Sequence, residues 1–268
     1  MPRLRVALIG LGMAVGPHAK SLLDLKDKAE IVWAVSPSAA RREAFARNFP
    51  FPTAGDVDAV LADESVDAVF VLTPPNTHLD IVRRAAKAGK HVLVEKPLEV
   101  TTARAREMVQ ACAAAKVRLG MVLQHRFRPA AVKVKQAVAS GALGKLAHCS
   151  VAVPWWRPQA GYYDQPGRGT LARDGGGVLI TQAIHTLDLF LHLAGPVTQV
   201  HALAATSPVH RMETEDQVVA TLGFANGAMG ALDCTTVAYP GYPETILLAG
   251  DKGSARIAGT EAAIEYMG

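Results

Sequence analysis

The sequence predicts an α/β protein whose first half is a doubly wound parallel sheet and whose second half is built on an antiparallel sheet. From residue 4 to residue 122, short apolar runs alternate with segments of helical period, the pattern of a parallel sheet covered by helices on both faces. In the second half, strand-like runs follow one another around one apolar helix, and Asn226-Gly227 is a strong hairpin signal. We therefore expect two domains, residues 1–123 and 124–268.

The predicted elements of the first half are bounded by turn residues. Apolar runs rich in β-branched residues give buried strands, and apolar residues spaced three and four apart give amphipathic helices. In chain order these elements are strand 4–9, helix 14–28, strand 31–35, helix 38–48, strand 68–72, helix 77–88, strand 91–94, helix 101–115 and strand 118–122.

The second half is predicted to contain sequential strands that pair with their neighbours along the chain. One helix, 130–140, ends at Gly141, and the apolar helix lies near 178–194. The predicted strands are 147–153, 197–205, 217–224, 228–236 and 245–249.

The composition is that of a folded globular protein. Of the 268 residues, 50% are hydrophobic and 19% are charged, which excludes a disordered or collagen-like chain. The basic residues behind the net charge of +4 are scattered over several segments, so no nucleic-acid partner is predicted. No apolar run reaches the ~20 residues of a membrane span, so we expect no membrane partner.

The cysteines and the N-terminus favour a cytoplasmic location. Cys112, Cys149 and Cys234 stand far apart without a CxxC pair, so neither a disulfide framework nor a zinc site is indicated. Arg3 and Arg5 precede an uncharged run that resembles a secretory signal. This run contains glycines and lacks a small-residue cleavage site, so we do not interpret it as a signal.

A glycine-rich turn leads from the first strand into the first helix. Glycine at such a turn lets the backbone approach a pyrophosphate at the helix N-terminus. The third position of the G-x-G-x-x-G pattern is Val15, and Gly16 follows it. The alternative is a tight turn whose glycines serve backbone geometry alone. We favour a dinucleotide site, with cofactor contacts from Gly10, Gly12, Met13 and Ala14.

The residues after the second strand bear on the choice between NAD and NADP. A carboxylate there would bind the 2′-hydroxyl of NAD and repel the 2′-phosphate of NADP. The chain has Ser36, Ser38 and then Arg41 instead, and hydroxyls with a guanidinium suit a phosphate. We therefore predict NADP, with NAD as the alternative if Arg41 is only a solvated helix residue.

Two further polar segments follow strands of the parallel sheet, at the edge where such sheets bind ligands. The first contains Thr73, Pro74, Asn76 and His78, and the second is Glu95-Lys96-Pro97. By pattern alone, the first is a stiff loop with a helix cap. Lys96 is either an exposed strand-end residue or a catalytic donor facing a nicotinamide.

These motifs occur in the order seen in the Gfo/Idh/MocA family of oxidoreductases, which the chain resembles over most of its length. The shared features are Gly10-x-Gly12, the Thr-Pro-x-Asn segment, the Glu-Lys-Pro block and the run from Gly175 through His185 to Asp188. Of these, Glu-Lys-Pro is the most specific and Gly-x-Gly the least.

The resemblance implies a Rossmann domain followed by an α+β domain with an open antiparallel sheet, used for substrate binding and oligomer packing. It implies that Lys96 is the catalytic lysine and His185 the catalytic histidine. Relatives commonly carry Asp four residues before this histidine, where this chain has Thr181. A hydroxyl cannot supply the charge that would raise a histidine pKa. The predicted cofactor contacts after the third and fourth strands are Thr73, Pro74, Asn76, His78, Glu95, Lys96 and Pro97.

Candidate substrate residues lie after the last strand of the first domain and beyond it. Polar side chains there could bind hydroxyl groups, whereas the aromatic pairs 155–156 and 162–163 are weaker candidates. A metal site on the face shared by His185, Asp188 and His192 is disfavoured, since no fourth ligand is suggested. The candidate substrate residues are Lys96, His125, Arg126, Arg168, Thr181 and His185.

We expect an NAD(P)-dependent oxidoreductase acting on a secondary alcohol or ketone of a sugar, cyclitol or related polyol. The alternative is a dinucleotide-binding sensor or scaffold with little turnover, which Thr181 favours. Relatives in this family usually continue past the position of Tyr266, so the resemblance implies either a sequence shortened at its C-terminus or a second domain without that segment. It also implies a homodimer or homotetramer assembled through the C-terminal sheet.

Overall fold

The computed structural model describes residues 2–268, which divide into two compact units, one ending at Val122 and one beginning at Leu123. The boundary lies one residue before the predicted one. Each unit has its own sheet and its own hydrophobic core.

The first unit is a doubly wound parallel sheet, which confirms the predicted fold class. Its strands lie in the order β3-β2-β1-β4-β5-β6, and every neighbouring pair is parallel. Strand order reverses between β1 and β4, the place where open parallel sheets bind ligands. The elements are β1 Leu4–Ile9, α1 Val15–Asp24, β2 Ala29–Val35, α2 Ala39–Ala46, β3 Thr53–Ala54, α3 Val57–Leu61, β4 Ala68–Val71, α4 His78–Lys87, β5 His91–Val94, α5 Thr102–Ala114 and β6 Leu119–Met121.

The apolar run of β1 serves both faces of this sheet. Val6 and Leu8 pack into one core cluster, whereas Ala7 and Ile9 pack into another. Successive side chains of a strand point to opposite faces, so a strand covered by helices on both faces has no polar position to spare. This explains why residues 6–9 are a continuous apolar run, whereas Arg5, near the start of the strand, is only partly buried.

The second unit holds a seven-stranded sheet in the order β13-β12-β11-β7-β10-β9-β8. One face of it packs against α6 and α8, with Phe190 and Cys149 almost fully buried between them. β12 and β13 are additional to the predicted strands. The elements are α6 Pro129–Ala139, β7 Leu146–Pro154, α7 Leu171–Asp174, α8 Ile184–Ala194, β8 Val197–Ala205, β9 Gln217–Phe224, β10 Met229–Thr235, β11 Thr245–Gly250, β12 Gly253–Ala258 and β13 Glu261–Tyr266.

The expectation of sequential antiparallel pairing is wrong for β7, which lies between β10 and β11 and does not pair with β8. β7 pairs with β10 in parallel, and the other neighbouring pairs are antiparallel. A parallel pair needs a long crossover connection, and the chain between β7 and β8 supplies it with α7 and α8 before the β8-β9-β10 strands return. The sheet is therefore mixed, although mostly antiparallel.

Contrary to the expectation from the sequence, one helical stretch among residues 2–268 is long and apolar enough to cross a membrane. This stretch is Leu171–Ala194, and 56% of its most apolar window is buried inside the protein. It is not one regular helix, because Gly175 adopts a φ of +76° and ends α7. A buried core helix passes the same test of length and composition.

Candidate functional site

The turn after β1 has the geometry of a dinucleotide cradle. Gly10 has a φ of +107°, and a Cβ there would lie 2.8 Å from the backbone carbon of Leu72, so the fold itself requires this glycine. A Cβ at Gly12 would meet no atom within 4 Å. Packing inside the protein therefore does not explain Gly12. A close approach of the backbone of this turn to a ligand would explain it.

The N-terminus of α1 adds the charge complement of such a cradle. Its N-cap residue, Ala14, makes no side-chain hydrogen bond, and the first turn contains no acidic residue. Uncapped N–H groups and the positive end of the helix dipole favour a pyrophosphate. Val15, which replaces the third glycine of the pattern, is buried in the core. The residues present therefore fit a dinucleotide.

The loop after β2 uses its hydroxyls for its own backbone. Ser36, which is almost fully buried, accepts from the backbone N–H of Ser38 at 3.3 Å, and Ser38 caps α2 by accepting from the N–H of Arg41 at 3.4 Å. The side chain that closes over this loop is that of Arg42, which donates to the carbonyl oxygens of Ser36 at 2.6 Å and Pro37 at 3.1 Å. Arg41 is exposed.

His78 lies in the interior, which revises its predicted contact with a cofactor. The side chain is fully buried. Its Nδ1 lies 3.0 Å from the carbonyl oxygen of Leu98, and its Nε2 lies 2.9 Å from that of Thr73. His78 thus braces the loop after β4 against the loop after β5. Pro74 and Asn76 of the same segment remain at the surface.

Lys96 follows β5 at the same edge of the sheet, and its neighbour Glu95 is tied to α1. One Glu95 oxygen accepts from Nε2 of His18 at 2.8 Å, and the other accepts from the backbone N–H of Lys96 at 2.8 Å. Burial raises the pKa of Glu95, but these bonds outweigh it, so the pKa lies below its ordinary value. The Lys96-Pro97 peptide bond is cis. His18 is a site residue that the sequence analysis missed, although a histidine in the first turns of α1 was visible.

In the second unit, Thr181 and His185 flank a junction between two helical forms. A π-helical turn, Leu179–Ala183, continues into α8, which carries His185. The Thr181 hydroxyl donates to the carbonyl oxygen of Gly177 at 2.7 Å. A Cβ at Gly177 would overlap the Glu215 carbonyl, so this glycine meets the unit's own backbone rather than a ligand.

His125 packs against His185, so the structure brings these two predicted residues together. The two ring centroids lie 5.0 Å apart at 31°. Burial lowers the pKa of His125, and the charge of Arg128 lowers it further, against the opposing effect of Glu244 and Asp188. His185 therefore has an imidazole beside it that stays neutral near pH 7.

Arg126 is bonded to other side chains of the second unit. It forms a bidentate pair with Asp188, at 2.6 Å from Nε and 2.5 Å from Nη2, and its Nη1 donates to Nδ1 of His192 at 3.3 Å. Fewer donors are left for a substrate than the sequence suggests. Asp188 and His192 are held by this arginine, and residues 2–268 contain no group of three side chains arranged to hold a metal ion.

Comparisons with known proteins follow the same division. Residues 4–123 match an oxidoreductase family with an NAD-binding Rossmann fold, and residues 131–256 match the Gfo/Idh/MocA C-terminal domain. The chain is 30% identical to the myo-inositol 2-dehydrogenase of Thermotoga maritima over 256 residues, covering 93% of this chain and 74% of that protein.

The chain belongs to the Gfo/Idh/MocA oxidoreductase family. Another member, the inositol 2-dehydrogenase of Rhizobium meliloti, is 28% identical over 94% of this chain and 74% of its own length. The crystal structure of the WlbA dehydrogenase from Bordetella pertussis, in complex with NADH and UDP-GlcNAcA, superposes with a TM-score of 0.93 at 32% identity, covering 99% of this chain and 78% of that one. Membership confirms the predicted fold class, the enzyme and the nicotinamide dinucleotide.

Proposed function

We propose that this oxidoreductase moves a hydride between a nicotinamide dinucleotide and a secondary alcohol or ketone of a sugar, cyclitol or related polyol. The observation that carries the proposal is the edge of the first sheet, where Lys96 follows β5 and the open turn at Gly12 follows β1. The substrate class is supported by the relatives, which include two inositol dehydrogenases.

Two groups of this chain perform the proton and charge chemistry. A bound nicotinamide ring would supply the hydride acceptor or donor at its C4. The ammonium of Lys96 donates a hydrogen bond to the reacting oxygen and stabilises its developing charge. His185 takes the hydroxyl proton as general base, a task that suits an imidazole with an ordinary pKa of ~6.5. The Thr181 hydroxyl already donates to Gly177, so it serves a substrate or imidazole as an acceptor.

The substitution Lys96→Met tests this assignment. We expect kcat to fall by about 10²- to 10³-fold, the usual effect of removing one donor to a developing oxyanion. The dissociation constant for the dinucleotide should change by less than about threefold, because the glycine turn is untouched. Steady-state rates on a substrate identified from a polyol screen, with fluorescence titration of the reduced cofactor, measure both. Lys87→Met, an exposed lysine of α4, is the control, and near-normal turnover by Lys96→Met would refute the role.

Within that reaction we propose NADP(H) as the preferred cofactor. No carboxylate follows β2, where Ser36 stands, and the exposed Arg41 and the half-buried Arg42 flank the loop. NAD is the alternative, supported by the NADH found in the WlbA structure. Ser36 is nearly buried, so the phosphate would meet Ser38 and the arginines rather than the Ser36 side chain.

Side-by-side fluorescence titration with NADPH and NADH separates the two cofactors. We expect tighter binding of NADPH, and we expect Arg41→Gln to weaken NADPH without changing NADH. Arg47→Gln, an exposed arginine that caps the end of the same helix, should change neither. A preference of the wild type for NADH would refute the proposed phosphate pocket but leave the proposed oxidoreductase function unchanged.

A dinucleotide-binding sensor with little turnover is the second candidate. Thr181 favours it, because the hydroxyl brings no negative charge to the segment that carries His185. Dinucleotide binding without turnover on any compound of a sugar, cyclitol and sugar-acid screen would support the sensor. Turnover that Lys96→Met abolishes would exclude it.

The buried free cysteines at 112, 149 and 234 support our further proposal of a reducing, cytoplasmic location.

A further inference from the structure

Two arginines of the second unit share one aromatic ring. The guanidinium carbon of Arg168 lies 4.3 Å from the ring centroid of Tyr162, and that of Arg157 lies 5.6 Å from it. Arg157 also lies over the ring of Trp155, at 5.1 Å. Such contacts fix the planes of the guanidinium groups through cation–π attraction, but they do not neutralise the charges.

Neither guanidinium meets a carboxylate among residues 2–268, where the ion pairs involve other arginines and histidines. A guanidinium has five N–H donors. Arg157 uses two of them, toward the side-chain oxygen of Gln182 and the carbonyl of Trp156, each at 2.9 Å. Arg168 donates one bond, to the Tyr162 hydroxyl at 2.8 Å, and its Nε is buried without a partner. Both side chains are half-buried.

This arrangement is unfavourable unless something else completes it. A buried donor without a partner destabilises the folded protein, and a partly desolvated cation without a counter-charge is less favourable than an exposed one. A purely structural stack of arginine on tyrosine would be expected to satisfy its donors, as most buried polar groups in proteins do. Arg157 also borders open space, because it lines a cavity of about 260 Å³ with Trp155 and Trp156.

Gln182 connects this cluster to the segment of the candidate catalytic residues. Its amide nitrogen donates to the Tyr162 hydroxyl and its oxygen accepts from Arg157. Gln182 directly follows Thr181 and precedes His185 by three residues, in the π-helical turn that continues into α8. The Tyr162 oxygen accepts two bonds, one from Gln182 and one from Arg168, so its own hydrogen is available for donation to a third group.

We propose that the substrate carries an anionic group, a carboxylate or a phosphate, and that Arg157, Arg168 and the Tyr162 hydroxyl bind it beside the segment of Thr181 and His185. The inference rests on the proposed oxidoreductase function and narrows its substrate class from neutral polyols to acidic sugars or sugar phosphates. A guanidinium fork matches the oxygen spacing of either group, and an anion would supply the acceptors that the two arginines lack.

The test compares ligands that differ only at one carbon of the sugar. D-glucose, D-glucuronate and D-glucose 6-phosphate are titrated calorimetrically into the wild-type protein, with and without saturating reduced dinucleotide. We expect at least one anion to bind tenfold or more tightly than glucose. Tighter binding of glucuronate identifies a carboxylate site, and tighter binding of the phosphate ester identifies a phosphate site. Equal affinity for all three ligands would overturn the proposal.

Variants locate the preference. We expect Arg168→Gln to reduce the preference for the anion at least tenfold, and Tyr162→Phe to reduce it while keeping the ring. Arg168→Lys should restore part of it, because the charge remains but the fork is lost. Arg256→Gln, an exposed arginine of β12, is the control for net charge. A preference that survives both Arg168→Gln and Tyr162→Phe in folded protein, checked by thermal unfolding, would place the anion elsewhere and refute the site.

The same samples separate this inference from the proposed function. Dinucleotide binding depends on the first unit, whereas the arginine cluster lies in the second. If the wild-type protein binds no dinucleotide, the proposed oxidoreductase function is refuted, whatever the result of the anion titrations. If it binds a dinucleotide normally but shows no preference for an anion, only the proposal of an acidic substrate is refuted.

Discussion

Three glycines near the start of the chain lie in different structural surroundings. A side chain at Gly10 would collide with the backbone of Leu72, and its φ of +107° disfavours other residues. Gly12 and Gly16 have open space where a Cβ would be. Gly16 lies within α1, where alanine is the better helix former. Packing therefore requires glycine at position 10 and at neither of the other two positions, and a ligand close to the turn would explain Gly12.

Alanine substitutions separate these three positions. We expect Gly10→Ala to lower the free energy of unfolding by about 1–3 kcal/mol through backbone strain. Gly12→Ala should leave it within about 0.5 kcal/mol and weaken dinucleotide binding, because the new methyl group occupies the approach of the pyrophosphate. Gly16→Ala should not destabilise the fold, so it serves as the control. Urea unfolding and cofactor titration measure the two effects, and a Gly12→Ala protein that binds dinucleotide normally would contradict the cradle.

At the scale of elements, a partly buried pair joins α1 to the end of β5. The side chains of His18 and Glu95 are 14% and 18% exposed, so their bond is shielded from water. The folded state lowers the Glu95 pKa below its ordinary 4.5, and the unfolded chain therefore binds more protons in the interval between the two values. The contribution of Glu95 to stability is thus complete above about pH 4.5 and is lost as the pH falls toward the folded pKa.

Glu95→Gln tests this link between elements. We expect it to lower the free energy of unfolding by about 1–2 kcal/mol at pH 7, the usual scale of a charge-assisted hydrogen bond. The difference from the wild type should shrink as the pH falls below about 4.5, since the folded pKa of Glu95 lies below that value and the bonds to the ionised carboxylate are lost on protonation. Urea unfolding across this range measures it. Glu107→Gln, whose side chain is 43% exposed in its pair with Arg83, should change stability by less than about 1 kcal/mol. A pH-independent difference for Glu95→Gln would contradict a role for the negative charge of Glu95.

At the scale of the whole molecule, the second sheet exposes several large apolar side chains on one face. Leu203 is 76% exposed, Met229 72% and Val219 49%. Leu203 pairs with Val219 of β9. Met229 pairs with Gly223, which lies four residues further along β9 and on the same face of the sheet. Exposed large apolar side chains on one face of a sheet favour association. The charge of the chain opposes it little, since the net charge is +4. We propose that a second copy of the chain covers this face.

Leu203→Lys tests that assembly. We expect the wild-type protein to run as a dimer or tetramer in size-exclusion chromatography with light scattering, and the variant to shift toward the monomer, because a buried ammonium has no partner there. Dinucleotide binding should be unchanged. Val109→Lys, at an exposed apolar residue of α5 in the first unit, should keep the wild-type mass. A monomeric wild type would rule the interface out.

Local sequence patterns are enough to predict the parallel sheet, the position of the glycine turn and the placement of Lys96 after β5. These features depend on local patterns: two-sided apolar runs, helix periods between them and glycines at one turn. β3, α3, β12 and β13 were beyond such patterns, because they are short or mix alanine with charged residues. Their pairing with neighbours, rather than their own periodicity, makes them elements.

The contacts of the polar side chains, in contrast, follow from the folded structure. It set β7 parallel to β10, committed Arg126 to Asp188, buried His78 and gathered Arg157 and Arg168 on Tyr162. The pairing of β7 with β10, the Arg126–Asp188 pair and the contact of His78 with Leu98 join residues far apart in the chain. Arg157 and Arg168 meet Tyr162 through the folded path of a single segment. Hydrogen bonds and ion pairs between such residues form where packing brings the residues together. The spacing of residues along the sequence does not predict these contacts.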